Sequence, residues 1–144
     1  MFNKILSRFL YSKRKELQIF SKRISSAGII TRLNLSNPYN NRTIRVKTLW
    51  DTGCSDSSIS SSVVEHLGLE PIGDRIQMTS AVGHHWQHHY KVNLYFDGNN
   101  FIKNFTVLDF PRVDDVNFLI GMDLIQKGRL LIENNRASFS FIVR

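Results

Sequence analysis

The sequence predicts a mostly β domain whose short strands form a closed or partly closed barrel, preceded by a basic amphipathic helix. Three observations support this fold class. From about residue 26, apolar and polar residues alternate with the period of two that is typical of strands. Glycine, proline and asparagine separate the alternating stretches at short intervals. Only two short stretches after residue 26 have helical character, which favours a barrel of many short strands.

Residues 1–25 are predicted to form a basic amphipathic extension, and residues 26–144 the domain itself. Apolar residues of the extension have helical spacing at Phe2, Ile5, Leu6, Phe9 and Leu10, roughly continued by Leu17, Phe20 and Ile24. Such a helix can lie on an anionic membrane surface or dock into a partner protein. The same residues could instead form a helix that packs on the domain, or a loosely ordered extension. Charges interrupt the apolar residues and no small-residue cleavage site follows, so a signal peptide is not predicted. Anchor, propeptide and docking helix all remain open roles.

The domain elements follow from local sequence signals. Two strands flank the turn-forming residues 37–41, and a short helix then ends at Gly68. A long hairpin is predicted to turn near Gly83, and the pair Asp97-Gly98 predicts a tight turn into the next strand. The stretch "FLIGMDLIQKG" predicts an apolar strand, a glycine and one or two helical turns. The chain closes on two further strands, "RLLIEN" and "RASFSFIV".

Composition limits the classes of function. The 144 residues, 42% hydrophobic, suffice for one globular domain with its own core. Residues 1–23 hold seven basic residues and one acidic residue, which account for most of the net charge of +7. The rest of the chain is almost neutral, so nucleic-acid binding by the domain is not predicted. Cys54 is the only cysteine, which excludes an intrachain disulfide and favours a reducing, cytoplasmic location. No apolar run approaches the roughly 18 residues that cross a bilayer.

The stretch "LWDTGCSDSSIS", residues 49–60, carries the strongest chemical signal. Asp51 ends an apolar strand, so its carboxylate can face a cleft while its backbone stays in the sheet. Gly53 removes the side chain that would block the approach of a second backbone or a substrate. Thr52 can satisfy neighbouring backbone groups. One of three serines is expected to hydrogen-bond the carboxylate and fix its orientation: Ser55, Ser57 or Ser58.

A single carboxylate cannot act as general acid and general base in the same step, whereas two carboxylates in contact can. They share one proton because like charges so close together cannot both ionise. One then activates water while the other donates a proton to the carbonyl oxygen. The chain has one Asp-Thr-Gly and no Asp-Ser-Gly, so the second acid comes from elsewhere in the chain or from another copy. Because a symmetric dimer brings the same patch of two subunits together, a homodimer that pairs two Asp51 carboxyls is predicted.

Three features in this order resemble the retropepsin-like aspartic protease family: the "LWDTG" stretch, the hairpin tip at Gly83, and "FLIGMDLI". The resemblance covers roughly residues 27–143. It implies an all-β acid-protease barrel with a flap hairpin and one or two short helices. It also implies a homodimer that hydrolyses protein or peptide substrates, with Asp51 from each subunit as the catalytic dyad. No cofactor and no metal are expected.

The resemblance also implies roles for individual residues. Thr52 braces the dimer active site, Gly53 contacts the substrate backbone, and the turn at Gly121 packs behind the catalytic loop. Ser55 is expected to support the site. Four flap residues are implied to lie over the bound peptide: Ala81, Val82, Gly83 and His84.

Two acidic residues and the cysteine near these motifs have simpler interpretations. Asp56 is expected to be an exposed or turn-capping residue rather than a second catalytic acid. Asp123 lies near a helix start, where a carboxylate favours the positive end of the helix dipole, and its alternative role is contact with the substrate backbone. The family commonly has alanine directly after the triplet, where this chain has Cys54, for which a packing role is expected.

The stretch "GHHWQHHY" places four histidines within six residues. On a helix they would form i, i+4 pairs suited to a metal, but on a strand the two pairs fall on opposite faces. We therefore expect them to be plain flap residues. A further hypothesis is that imidazoles close to the dyad give flap closure a pH dependence.

The sequence thus predicts an aspartic endopeptidase. The alternative is a non-catalytic domain of the same fold that dimerises or binds peptides. In either case a peripheral membrane or partner contact through residues 1–25 is one of the open roles of that segment.

Overall fold

The computed structural model describes residues 15–80, 83–110 and 115–143. The elements of these residues, in chain order, are β1 (Lys15–Arg23), β2 (Ile29–Ser36), β3 (Thr43–Trp50), β4 (Ser58–Ser60), α1 (Ser61–Leu67), β5 (Ile72–Ser80), β6 (Gly83–Phe96), β7 (Asn100–Phe110), β8 (Phe118–Ile120), α2 (Met122–Ile125), β9 (Gly128–Glu133) and β10 (Arg136–Val143). Within the same residues, no helix is long and apolar enough to span a membrane.

Among the described residues, six strands close into a barrel. They follow the order β2-β3-β8-β4-β7-β6, and β6 also pairs with β2, while β5 extends from β6 outside the ring. The closing contact is short, because only residues 34–36 of β2 pair with residues 93–95 of β6. Elsewhere β3 and β8 run parallel, with Trp50 opposite Ile120. The predicted barrel of short strands is confirmed.

The predicted turns and short helices are also present. The strands β2 and β3 form a hairpin from the Ile29–Trp50 pair to the Ser36–Thr43 pair. Helix α1 ends at Gly68, whose φ of 64° lies in the left-handed region that glycine favours at helix ends. The long hairpin of β5 and β6 is paired up to Ser80 and Gly83, and its tip at residues 81–82 lies outside the described residues.

The core joins the barrel to a second sheet, of order β1-β10-β9. The Trp50 ring is central to this junction, with ring centroids 4.8 Å from Phe20 and 4.9 Å from Phe139. Its indole N–H donates to the hydroxyl of Thr31 at 2.8 Å, so burial leaves this donor satisfied. The residue before Asp51 is therefore fixed by packing on both sheets.

The prediction that a helix continues through Leu17, Phe20 and Ile24 is wrong. Residues Lys15–Arg23 form β1, which pairs antiparallel with β10 along its length. An irregularity in this pairing between Gln18 and Phe20 lets two adjacent residues face the core, since Ile19 is buried and Phe20 packs on Trp50. Pairing with β10 outweighs a helical pattern that is only approximate here. Residues 1–14 of the predicted helix lie outside the described residues, and the domain boundary after residue 25 remains a prediction.

Candidate active site

Asp51 lies one residue beyond the end of β3, where the backbone is held on both sides. Its N–H donates to the carbonyl of Ile120 at 2.8 Å, which extends the parallel pairing of β3 with β8. Its carbonyl accepts from the N–H of Cys54 at 3.2 Å, which closes a tight turn. The Asp51 backbone is therefore anchored to the barrel while its half-buried side chain leaves the sheet.

Gly53 holds and limits the position of the Asp51 carboxylate. The Gly53 N–H donates to Asp51 Oδ1 at 2.8 Å. A Cβ atom at residue 53 would lie 3.1 Å from the same oxygen, which is a tighter contact than most side chains make. Thr52 and Gly53 are both exposed, so the carboxylate lies at an open surface of the loop.

A hydrogen-bonded cluster behind this loop joins it to the start of α2. The Asp123 carboxylate accepts from the Ser57 hydroxyl at 2.7 Å, from the Ser57 N–H at 2.9 Å and from the Leu124 N–H at 2.9 Å. The hydroxyl of Ser57, which is fully buried, accepts in turn from the Gly121 N–H at 3.0 Å. Asp123 thus holds the far end of the loop to the turn at Gly121.

Two backbone hydrogen bonds join the same two segments, the Asp51 loop and the start of α2. The N–H of Met122 donates to the carbonyl of Cys54 at 2.7 Å, and the N–H of Asp123 donates to the carbonyl of Ser55 at 3.0 Å. A Cβ atom at residue 121 would lie 2.8 Å from the Cys54 carbonyl oxygen and 2.9 Å from that of Asp56. Only glycine fits this close approach, so the turn at Gly121 does pack directly behind the Asp51 loop.

The serine hydroxyls do not follow the sequence-based expectation. That of Ser57 donates to Asp123 rather than to Asp51, and that of Ser55 donates to the exposed carboxylate of Asp56 at 3.2 Å. The pairing of Ser57 with Asp123 was missed because the two residues are far apart in sequence and neither lies in a recognisable pair. The sequence held one signal for this pair, namely that a polar residue follows each of the two glycine-containing motifs.

Cys54 lies between these acidic groups and is partly buried. Burial first, and then the negative charges of Asp51, Asp56 and Asp123, raise the pKa of its thiol. The thiol is therefore protonated near neutral pH, which fits the packing role expected for this residue.

Gly83 and His84, both predicted to be flap residues, are described at the start of β6, next to the hairpin tip. Gly83 has a φ of 118°, a left-handed conformation suited to glycine at the hairpin turn. Residue His84 is exposed, and its Nδ1 lies 3.0 Å from the hydroxyl of Thr79 across the hairpin. Ala81 and Val82 lie outside the described residues. Across those that are described, no group of three or more His, Cys, Asp or Glu side chains could hold a metal.

This chain is similar to known proteins in sequence and in fold. A family model described as aspartyl protease matches residues 39–124, more than half of the chain. No curated protein sequence gives a significant match. Among solved structures, a retropepsin-like aspartic protease from Rickettsia conorii has a TM-score of 0.61 and 17% identity, covering 91% of this chain and 96% of that chain.

Two further structures match more weakly. The EIAV protease complexed with the inhibitor HBY-793 has a TM-score of 0.46 and 19% identity, with coverage of 73% and 86%. The retroviral protease-like domain of Ddi1 from Leishmania major has a TM-score of 0.46 and 15% identity, with coverage of 80% and 94%. The matched residues 39–124 contain both Asp51 and its support at Gly121 and Asp123, and the chain belongs to the aspartyl protease family, with a retropepsin-like fold.

Proposed function

We propose that this protein is an aspartic endopeptidase that acts as a homodimer, with one Asp51 from each subunit in a shared active site. Between the two carboxyls, one water would be activated by the ionised group. The other group would donate its proton to the carbonyl oxygen of the scissile peptide bond. The products are two peptides, and no cofactor takes part.

The observation that carries this proposal is the presentation of Asp51. Its backbone is fixed by β8, its carboxylate is oriented by the Gly53 N–H, and the side chain remains partly open to solvent. A rigid and partly desolvated carboxylate is what general acid–base catalysis needs, because its position does not have to be organised during the reaction.

The other acids close to Asp51 within the described residues support a dimer rather than an internal pair. Asp123 already accepts three hydrogen bonds from Ser57 and Leu124. Asp56 is exposed and accepts from Ser55. Since both carboxylates are engaged away from Asp51, a second copy of Asp51 is the partner we propose for it.

The substrate would lie between this loop and the flap. Gly53 would contact the substrate backbone, since it is exposed and carries no side chain. The tip of the hairpin, with Ala81, Val82, Gly83 and His84, would close over the peptide. Thr52 would brace the two loops at the dimer axis, and Ser55 would support the loop through its carbonyl, which accepts from the Asp123 N–H.

Asp51→Asn tests the proposal directly. The variant keeps the size of the side chain and an oxygen for the Gly53 N–H, but it removes the ionisable group. We expect wild type to cleave a peptide library between acid and neutral pH and to be blocked by a statine-type inhibitor, while Asp51→Asn cleaves nothing. Asp97→Asn, which changes an exposed carboxylate outside the site, is the matched control and should keep full activity.

Sedimentation of the same three proteins measures the oligomeric state. A dimer for all three, with activity lost only in Asp51→Asn, supports the proposal. A wild type that dimerises but cleaves nothing and ignores the inhibitor would instead support a non-catalytic dimerisation or peptide-binding domain. A fully active monomer would contradict the shared site.

A further inference from the structure

The strand β9 forms one edge of the sheet β1-β10-β9, and no strand of the described residues pairs with its outer side. It pairs with β10 without a shift in register, up to the Glu133–Arg136 pair at the turn. Two of its apolar side chains are exposed, Leu131 by 44% and Ile132 by 57%. A regular edge with exposed apolar residues is a surface on which a further strand can pair.

Two other edge strands, β1 and β5, carry features that discourage such pairing. The register of β1 shifts between Gln18 and Phe20, and charged residues lie at both of its ends. The register of β5 shifts between Ile72 and Ile76. Irregular pairing and charged side chains are the usual protection of an exposed edge. Strand β9 has no such shift, and its middle residues are uncharged.

The turn after β9 fixes which backbone groups of the strand face outward. Asn134 and Asn135 have φ angles of 51° and 61°, which is typical of a two-residue hairpin turn. The residues on either side of this turn therefore exchange hydrogen bonds across the hairpin. Because the direction of the backbone groups alternates along a strand, Leu130 and Ile132 point theirs away from β10.

The side chains of β9 make a second copy of the same strand a suitable partner. Arg129 and Glu133 lie two residues on either side of Leu131 and share its face of the sheet. In an antiparallel pair of two copies centred on Leu131, each Arg129 lies opposite Glu133 of the other copy. The same register places Leu130 of one copy opposite Ile132 of the other, so that their outward backbone groups can exchange hydrogen bonds.

Neighbouring registers lose this match. Centred on Leu130, two copies would place Arg129 opposite Leu131 of the other copy. Centred on Ile132, they would place Leu131 opposite Glu133. Only the register centred on Leu131 pairs the opposite charges and brings the two exposed leucines together.

The charges of β9 are available to a second copy. In residues 15–80, 83–110 and 115–143, Glu133 takes part in no ion pair within 4 Å. Arg129 pairs with Glu16 at 2.9 Å, but both side chains are exposed to solvent, and such pairs contribute little to stability. The guanidinium group also has enough donors to bind a second carboxylate.

We propose that β9 pairs with β9 of a second copy of this chain, about a two-fold axis at Leu131. The proposal rests on the homodimer proposed above and names the strand that joins its subunits. Helix α2 contacts β9 and holds the Asp51 loop at its own start. One short segment thus connects the proposed interface to the support of the catalytic loop.

Disulfide trapping tests the register. In a Cys54→Ser background, Leu131→Cys places two thiols across the axis, with Cα atoms about 4.5–5.5 Å apart and within the reach of a disulfide. We expect a covalent dimer after oxidation with copper phenanthroline, measured on a non-reducing gel. Ile132→Cys is the matched control, because residue 132 is more exposed but its two copies lie about 7–8 Å apart. Equal cross-linking of the two variants, or none in Leu131→Cys, overturns the proposal.

Charge reversal tests the two ion pairs. Glu133→Arg and Arg129→Glu each place like charges opposite one another in their own homodimer. Each variant alone should dimerise at least about tenfold more weakly than wild type in sedimentation. An equimolar mixture restores opposite charges in the mixed dimer and should dimerise like wild type. Unchanged dimerisation of the single variants, or no gain in the mixture, contradicts the interface.

Peptide cleavage by wild type, measured in parallel, separates this interface from the proposed activity. If Leu131→Cys forms the covalent dimer but wild type cleaves nothing, the interface is supported and the peptidase function is contradicted. If wild type dimerises and cleaves while both tests fail, the peptidase function is supported and the interface lies elsewhere.

Discussion

Two glycines limit substitution in the Asp51 loop, each for its own reason. A side chain at Gly121 would meet two backbone carbonyls, those of Cys54 and Asp56, at 2.8 and 2.9 Å. A side chain at Gly53 would meet only the Asp51 carboxylate, at 3.1 Å. Backbone held by several hydrogen bonds cannot shift as easily as one side chain, so the two positions should respond differently.

Gly121→Ala is expected to lower the free energy of unfolding by about 1–3 kcal/mol, as overpacking typically does. Gly53→Ala should cost less than about 1 kcal/mol, but it should lower kcat because it displaces the carboxylate. Urea unfolding and steady-state kinetics on both variants provide the measurement. If Gly121→Ala were as stable as wild type, the close packing of the turn behind the loop would be wrong.

The carboxylate of Asp123 is expected to act mainly on the structure of the loop. Asp123→Ala leaves the N–H and hydroxyl of Ser57 without their acceptor, which should cost about 2–3 kcal/mol of unfolding free energy. Ser57→Ala removes the other half of the pair, so the two effects should not add in the double variant. Urea unfolding of the two single variants and the double variant measures this coupling.

The alternative role predicted for Asp123, contact with the substrate, can be separated from the structural role by kinetics. Asp123→Asn keeps one acceptor oxygen and should lose less stability than Asp123→Ala. A raised KM in Asp123→Asn with kcat and stability unchanged would show that the carboxylate contacts the substrate. Additive effects of Ser57→Ala and Asp123→Ala would contradict the structural role.

Cys54 is expected to make the free energy of unfolding depend on pH in the alkaline range. Its pKa is raised above the ordinary value of 9.0, so the folded protein holds the thiol proton more tightly than the unfolded chain does. The corresponding stability is fully present below that value and is lost as pH rises through the raised pKa. The stability of wild type relative to Cys54→Ser should therefore fall between about pH 8 and about pH 10. Urea unfolding at both pH values tests this, and an unchanged difference would contradict the shift.

Local sequence predicted some of these residues and could not predict others. Asp51 and the two glycines stand in short motifs whose chemistry is evident from neighbouring residues. The Ser57–Asp123 pair depends on how the loop packs against α2. The sequence offered several serines of equal merit, so that choice of partner is a property of the folded chain.

Among the elements, β1 departs most from the sequence prediction. Its apolar residues fit a helical spacing only roughly, and the same residues also satisfy a strand with one irregularity. What decides between the two is β10, whose backbone pairs with β1. Periodicity within a segment carries no information about such a distant partner. The hairpins were predictable because their turn residues and both strands are contiguous in sequence.

Deletion of residues 1–24 tests the role of β1. The deletion removes Ile19 and Phe20 from the core and exposes an edge of β10, so we expect loss of cooperative unfolding. Deletion of residues 1–14 keeps every described contact of β1 and should retain a cooperative transition. Near-UV circular dichroism and urea titration distinguish the two. If the shorter protein that lacks residues 1–24 remains folded, the N-terminal segment is separable, as the sequence suggested.

For the molecule as a whole, the proposed shared active site would make activity a property of the pair of subunits. An excess of Asp51→Asn subunits should convert wild-type subunits into mixed dimers that have a single carboxylate. At nine parts of variant to one of wild type, only about one tenth of the wild-type subunits would remain paired with each other. Cleavage per wild-type subunit should fall in proportion once the subunits have exchanged.

The control for this mixing experiment is an equal excess of Asp97→Asn, which should not reduce cleavage. Retention of full activity in the presence of excess Asp51→Asn would mean that one subunit is sufficient.

For the molecule as a whole, the fold class was predictable from the alternation of apolar and polar residues and from the turn residues. Closure of the barrel through residues 34–36 and 93–95 was not predictable. That closure depends on the curvature of the whole sheet.

The support of the Asp51 loop by Gly121 and Asp123 has a consequence for the timing of biosynthesis. The ribosome completes Asp51 long before it adds β8 and α2, which are among the last elements of the chain. Until these segments emerge, the Asp51 backbone lacks its hydrogen bond to Ile120, and Ser57 lacks its bonds to Asp123. A nascent chain therefore carries the acid without the scaffold that orients it. If the protein is the proposed peptidase, an incomplete chain would gain its activity only after these segments have been made and have folded.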